Sequence, residues 1–165
     1  MNENKIALTQ ADLIPLEDFE LCWRWRDPQY ILLADEELSE ITPLCPTAAQ
    51  KVYSVARSFT LDSSFRLSSS LFRECVDCDT SGEPSDGRKW LERVTRSFDP
   101  SLDIVVTWSE ELAVATKLWL FVKYWDDFCY PMSDDTTVFP SELKWAIQYW
   151  HEEHLYFGKY VRQSD

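Results

Sequence analysis

Glycine is nearly missing from this sequence. Only Gly82, Gly87 and Gly158 occur in 165 residues. Phosphate-binding loops, dinucleotide fingerprints and the GxSxG elbow each need glycines at fixed spacings, because only glycine lets the backbone turn so sharply or approach a phosphate so closely. None of these can be built here, so nucleotide chemistry through those folds is excluded. Histidine is as scarce, with His151 and His154 alone. No apolar run approaches the roughly 20 residues that span a bilayer. The opening MNENKIALTQADLIPLEDF lacks a basic stretch followed by an apolar one, so it does not read as a secretory signal, and the expected location is the cytoplasm. There is no internal repeat and no low-complexity tail.

Basic residues are also in short supply, 16 against 29 acids, for a net charge of −13. The excess sits at the two ends. Residues 1–46 carry ten acids and three bases, residues 47–108 nine and eight, and residues 109–165 ten and five. Such a surface repels phosphate backbones, which disfavours nucleic acid as a partner. It attracts a basic protein, such as a toxin or nuclease whose cleft expects a polyanion. Solubility alone is the plainer explanation of the same charge.

What is present in quantity is aromatic: eight Trp, seven Tyr and nine Phe within a 45% apolar chain. That composition argues against disorder, and the length suits one domain with a real core, over residues 1–165. The densest stretch is Trp119–Asp135, WLFVKYWDDFCYPMSDD. It combines aromatic residues with two acidic pairs, Asp126-Asp127 and Asp134-Asp135, around a Cys-Tyr-Pro turn. Aromatics seek burial and paired carboxylates resist it, so this stretch belongs at a core edge.

Along the chain, Ile6–Leu8 reads as a short strand or extended arm. Pro15 opens a helix of about three turns through Leu16, Phe19, Trp23 and Arg26, which Asp27-Pro28 stops. Ile31–Ala34 reads as a buried strand, and Asp35 as the cap of a short acidic helix closed by Pro43 and Pro46. Thr47-Ala-Ala-Gln50 has the capping-box pattern ahead of a helix on Ala48, Val52, Val55, Ala56 and Phe59. Residues 60–76 are ambiguous, with Phe65, Leu67, Leu71 and Phe72 seeking burial. Asp77–Gly87 is expected to be a flexible loop, since it holds two glycines and Pro84. Helical spacing resumes over Arg88–Phe98, and Ile104–Trp108 reads as a strand. Thr107–Glu110 is a second capping box, predicting a helix over Ser109–Tyr124, with a strand from Trp119 as the alternative. Thr136–Phe139, Lys144–Trp150 and Leu155–Val161 read as strands, the last two joined by a turn at His151–His154, and a helix over 141–156 competes.

No complete catalytic motif appears. Cys75-Val-Asp-Cys78 is a CxxC without a second pair, and five cysteines in a cytosolic chain read as reduced. His151-Glu-Glu-His154 spaces its histidines three apart, where the metalloprotease motif needs four. A divalent-metal site on His151, His154 and Asp134 or Asp135 is the enzymatic alternative, as a metal-assisted hydrolase. Asp126-Asp127 and Asp134-Asp135 also suit a hydrolytic carboxylate pair or a hard cation, but no EF-hand spacing accompanies them. Ser141-Glu-Leu-Lys144 matches SxxK without its companion motifs.

The residues Trp125–Pro131 (WDDFCYP), Ser133–Asp135, Trp145, Tyr149, His151–Glu153 and Phe157–Gly158 together resemble a family of short acidic bacterial proteins of unknown function. The resemblance covers about the last third of the chain and transfers no catalytic residue. By analogy of size and charge it suggests immunity proteins, which neutralise toxins. The expectation is one α+β domain, with helices packed on a small, mainly antiparallel C-terminal sheet. Its function is expected to be non-enzymatic and cofactor-free: binding of a protein partner, such as a cognate basic toxin whose active site it covers, with the metal-assisted hydrolase or a housekeeping protein-interaction adaptor, whose aromatic cluster is merely core, as the alternatives. Asp126, Asp127, Tyr130, Asp134, Asp135, Trp150, Glu152 and Glu153 are the expected contact residues.

Overall fold

A computed structural model describes residues 5–60 and 66–161. The elements in chain order are α1 (Trp23–Arg26), α2 (Asp35–Leu38), β1 (Thr42–Pro43), α3 (Pro46–Arg57), β2 (Phe72–Asp79), α4 (Pro84–Thr95), β3 (Asp103–Thr107), β4 (Ala113–Lys117), α5 (Leu118–Lys123), α6 (Trp125–Phe128), β5 (Thr136–Pro140), β6 (Trp145–Trp150) and β7 (His154–Tyr160). Short 3-10 turns cover Gln10–Asp12 and Leu16–Asp18. The strands form one antiparallel sheet in the order β1-β4-β3-β5-β6-β7-β2. The chain is α+β, as expected, and most strands are C-terminal. The sheet is larger than expected because β1 and β2, from the first half, form its two edges.

Helices cover both faces. On one, α3 presents Ala48, Ala49, Val52 and Ala56 to Val105, Ala113, Phe139 and Ala146. The small side chains on both sides permit a close approach of helix to sheet. On the other face, Ile104, Val106, Val138, Trp145, Ile147, Tyr149 and Phe157 meet Trp25, Trp90, Leu91, Phe121, Trp125 and Phe128 from the helices. Strand β6 shows how the sequence sorts these layers. Trp145, Ile147 and Tyr149 fill the deep face, while Ala146 leaves room for α3. That alternation of large and small excludes the competing helix over 141–156.

Several expectations are corrected. The helix after Pro15 is broken: a 3-10 turn ends at Asp18 and α1 begins only at Trp23. Ile31–Ala34 has no strand partner, and within it Leu32 is exposed while Leu33 alone is fully buried. Asp35 is the first residue of α2, not its cap; the Ala34 N–H donates to Glu37 Oε2 at 3.3 Å instead. Pro46 starts α3 rather than closing the preceding unit, and Cys45 replaces Thr47 at the N-cap. The loop expected over Asp77–Gly87 shrinks to the stretch between β2 and α4. Gly87 lies inside α4 for a packing reason: a Cβ there would come within 2.5 Å of the Trp125 ring. Thr107–Glu110 caps no helix, because the Trp108 N–H donates to the Leu112 carbonyl at 2.9 Å and closes the β3–β4 hairpin. The expected helix over Ser109–Tyr124 is therefore strand β4 followed by α5. Phe65 lies outside the described residues. Leu67 and Phe72 are buried as expected.

Candidate functional site

Helix α1 reads Trp23-Arg24-Trp25-Arg26. Four residues make little more than one turn, so its side chains leave on different sides. Trp25 enters the core, and Trp23 lies outside against Tyr30, with ring centroids 4.7 Å apart. Arg24 is drawn inward although it is charged, and only 4% of its surface is exposed.

Its partner is Asp134, 7% exposed. Arg24 Nη1 donates to Asp134 Oδ2 at 2.5 Å and Nη2 to Oδ1 at 3.1 Å, the bidentate pairing a guanidinium favours. Asp134 also accepts from the Tyr130 N–H at 2.8 Å and from Ser133 Oγ at 3.1 Å. The Arg24 guanidinium lies 4.2 Å from the Tyr130 ring centroid and 5.9 Å from that of Trp108. The two buried charges are tolerated because the carboxylate and both terminal nitrogens of the guanidinium are hydrogen-bonded, while Arg24 Nε alone has no partner. The pair ties α1 to the turn between α6 and β5. Asp134 was expected to point outward on a contact rim; its carboxylate is instead consumed inside, as the anchor of the turn.

That turn displays the residues around it. Met132 is 90% exposed at φ 67°, a left-handed conformation that a non-glycine residue adopts at some cost. Its N–H donates to the His151 carbonyl at 2.9 Å. Asp135 Oδ1 meets His151 Nδ1 at 2.8 Å and accepts the His151 N–H at 3.1 Å. The turn at 130–135 is thus fastened to the β6–β7 turn as well as to α1. Trp23, Tyr30 and Tyr130 form an aromatic group over Arg24, with the Trp23 and Tyr130 centroids 5.7 Å apart. Tyr30 is 53% exposed, and Leu32 in the following loop is 64% exposed.

The acids lie around this group. Asp127 is pushed up to about 6, chiefly by burial and then by Asp126, against the pull of Arg88 and Arg24. A carboxylate at this position is held at an energetic cost. Burial also raises the Tyr130 hydroxyl, against the pull of Arg24 and with Asp127 adding to it. Glu153 sits in the β6–β7 turn at φ 60°, beside exposed Glu152. The half-buried Trp150 ring meets the His151 ring at 5.7 Å. Of the expected contact residues, Tyr130, Asp135, Trp150, Glu152 and Glu153 gather on the two fastened turns, and Asp126 and Asp127 lie on the adjoining α6. The structure adds Trp23, Tyr30 and Met132 at this face, with the buried Arg24 beneath them.

The alternative metal set does not converge. His151 pairs with Asp135, His154 Nε2 pairs with Asp77 Oδ2 at 2.7 Å, and Asp134 is bound to Arg24. Among the described residues no group of three or more His, Cys, Asp or Glu side chains is placed to hold a metal. Cys75 and Cys78 are free and lie three apart on β2, so the pleat turns them to opposite faces. Burial pushes both thiols up, and at Cys78 the neighbouring Asp79 adds to it.

No protein-family model matches this chain, and no curated protein matches it. No helix of the described residues is long and apolar enough to cross a membrane.

Proposed function

We propose that this chain is a non-enzymatic binding protein that receives a basic protein partner on the face around Tyr130. The observation that carries the reading is a pair of exposed apolar residues: Met132, on the turn that the buried Arg24–Asp134 pair anchors, and Tyr30, in the loop after α1, whose ring packs on Trp23 and through it reaches Tyr130. Anchors that are ordered before binding lose little entropy on docking, and aromatic or methionine anchors inside a polar rim make the usual core of an interface. Asp126, Asp127, Asp135, Glu152 and Glu153 supply the rim. They steer a cationic partner and set its orientation.

A specific form of this reading is an immunity-type inhibitor that covers the active site of a basic toxin. It is supported by the resemblance of Trp125–Pro131, Ser133–Asp135 and the His151–Glu153 segment to a family of small acidic bacterial proteins, and by the net charge of −13. The test is co-expression with the products of the reading frames that flank its own. Protection of the cells and co-purification of a complex are expected. Neither protection nor a complex would end this reading.

A further inference from the structure

The two edges of the sheet are not alike. Strand β1 is two residues long and ends in Pro43, and the incoming chain covers it: the Ile14 N–H donates to the Pro43 carbonyl at 3.0 Å. Strand β2 is eight residues long, and Arg73, Glu74, Cys75, Val76, Asp77 and Asp79 are exposed. Side chains of a strand alternate between faces, so exposure in succession means that neither face is covered there. Among the described residues no strand pairs with the outer side of β2.

Hydrogen bonding fixes which groups this edge offers. The Thr80 N–H donates to the Glu153 carbonyl at 2.8 Å, so Thr80 faces β7. Antiparallel pairing alternates. Val76 and Cys78, opposite Phe157 and Leu155, therefore also face β7, and the N–H and C=O groups of Asp77 and Asp79 point outward. The bulge after Arg73, with Glu74 at φ 54°, interrupts the edge and leaves Val76 to Thr80 as its regular run.

The side chains divide in the same way. Asp77 and Asp79 project from one face, and Val76, 45% exposed, and Cys78 from the other. A second copy paired on this run would set the aspartates of two chains against each other, and like charges directly opposite are destabilising. A strand with basic residues opposite Asp77 and Asp79 would be stabilised instead, and its alternate residues would cover Val76. Asp77 Oδ2 meets His154 Nε2 at 2.7 Å and Asp79 accepts the Ser81 N–H at 2.8 Å, yet both aspartates remain exposed. On their face the run adjoins a groove of about 210 Å³ lined by Arg66, Leu67, Cys75 and Tyr156, among others. Strand addition takes its affinity from main-chain bonds and its specificity from such alternate side-chain positions.

We propose that the outer edge of β2 binds an extended segment of a partner protein by strand addition, and that this segment alternates basic with apolar residues. The proposal does not depend on the function proposed for the face around Tyr130.

The test adds three capped peptides to the full chain near neutral pH. One alternates lysine and valine, one alternates glutamate and valine, and one is the lysine–valine peptide methylated on its lysine backbone nitrogens, which would otherwise bond to Asp77 and Asp79. The first is expected to bind about tenfold more tightly than either of the others by calorimetry. It should slow amide hydrogen exchange at Asp77 and Asp79 but not at Cys78, which already bonds to β7. Asp77→Lys is expected to weaken binding by about tenfold. Asp18→Lys, the same change of charge on the exposed 3-10 turn before α1, should leave it unchanged. Equal binding of the lysine and glutamate peptides, binding that survives methylation, unchanged affinity in Asp77→Lys, no binding at millimolar concentration, or protection of the Asp77 and Asp79 amides by self-association of the chain alone would each overturn the proposal.

Discussion

Asp127 offers the most informative single substitution. Its carboxyl is raised from 3.8 to about 6, mainly by burial and next by Asp126. A group raised on folding binds its proton more tightly in the native state. Its contribution to stability is full below about pH 4 and is lost as the pH rises through about 6. The shift corresponds to about 3 kcal/mol at neutral pH, as an upper figure. Solvent reaches part of this residue, so about 1–2 kcal/mol is the realistic cost of its ionisation. Asp127→Asn removes the charge and keeps the shape. The variant should be more stable than the native chain by about 1–2 kcal/mol at pH 7.5, with the advantage vanishing below pH 4. Urea denaturation of both proteins across pH 4 to 8 measures the difference and cancels the groups they share. A variant that is less stable at pH 7.5, or a difference that does not change with pH, would refute this reasoning. The same substitution should weaken a basic partner, so stability and binding would move in opposite directions.

Other outcomes follow from the same contacts. Asp134→Asn or Arg24→Met should each destabilise the chain by about 3–5 kcal/mol, since each leaves a buried charge unpaired, and the double variant should recover much of that loss; thermal denaturation with a double-mutant cycle reads this. Gly87→Ala should cost about 1–3 kcal/mol because its methyl group meets the Trp125 ring, and the same denaturation assay applies. Met132→Asn should be neutral or slightly stabilising, within about 1 kcal/mol, because Asn tolerates the left-handed backbone better.

The legible parts of the fold were those with one clear period. Helix α3 has apolar residues at three- and four-residue spacing, and β6 alternates Trp145, Ile147 and Tyr149 with Ala146, Gln148 and Trp150. The run from Ala113 to Lys123 has neither signal, because β4 lies mid-sheet and α5 is buried on most sides. A segment apolar all round does not show which period it obeys. Strand β2 failed for the opposite reason: as an edge strand it exposes Arg73, Glu74 and Asp77, and a bulge after Arg73 breaks its alternation. Gly87 looked like loop punctuation because sequence cannot show that a tryptophan lies over it.

At the candidate site, the acidic residues were visible as pairs, but their directions were not. Asp134 and Asp135 are adjacent, yet one is buried against Arg24 and the other faces His151. The decisive contact joins residues 110 positions apart. Its one local clue was an arginine between two tryptophans in the acidic N-terminal segment, where a guanidinium enclosed by aromatics requires a carboxylate from elsewhere.

The central claim is that the face around Tyr130 receives a basic partner. The direct measurement is cell protection on co-expression with the products of the flanking reading frames, run for the native chain, Met132→Lys and Lys51→Glu, the last on α3 across the sheet from this face. Met132 is exposed and outside the core, so Met132→Lys should fold normally. The native chain and Lys51→Glu should protect, and Met132→Lys should not. Protection that survives Met132→Lys, or is absent from the native chain, would contradict the account.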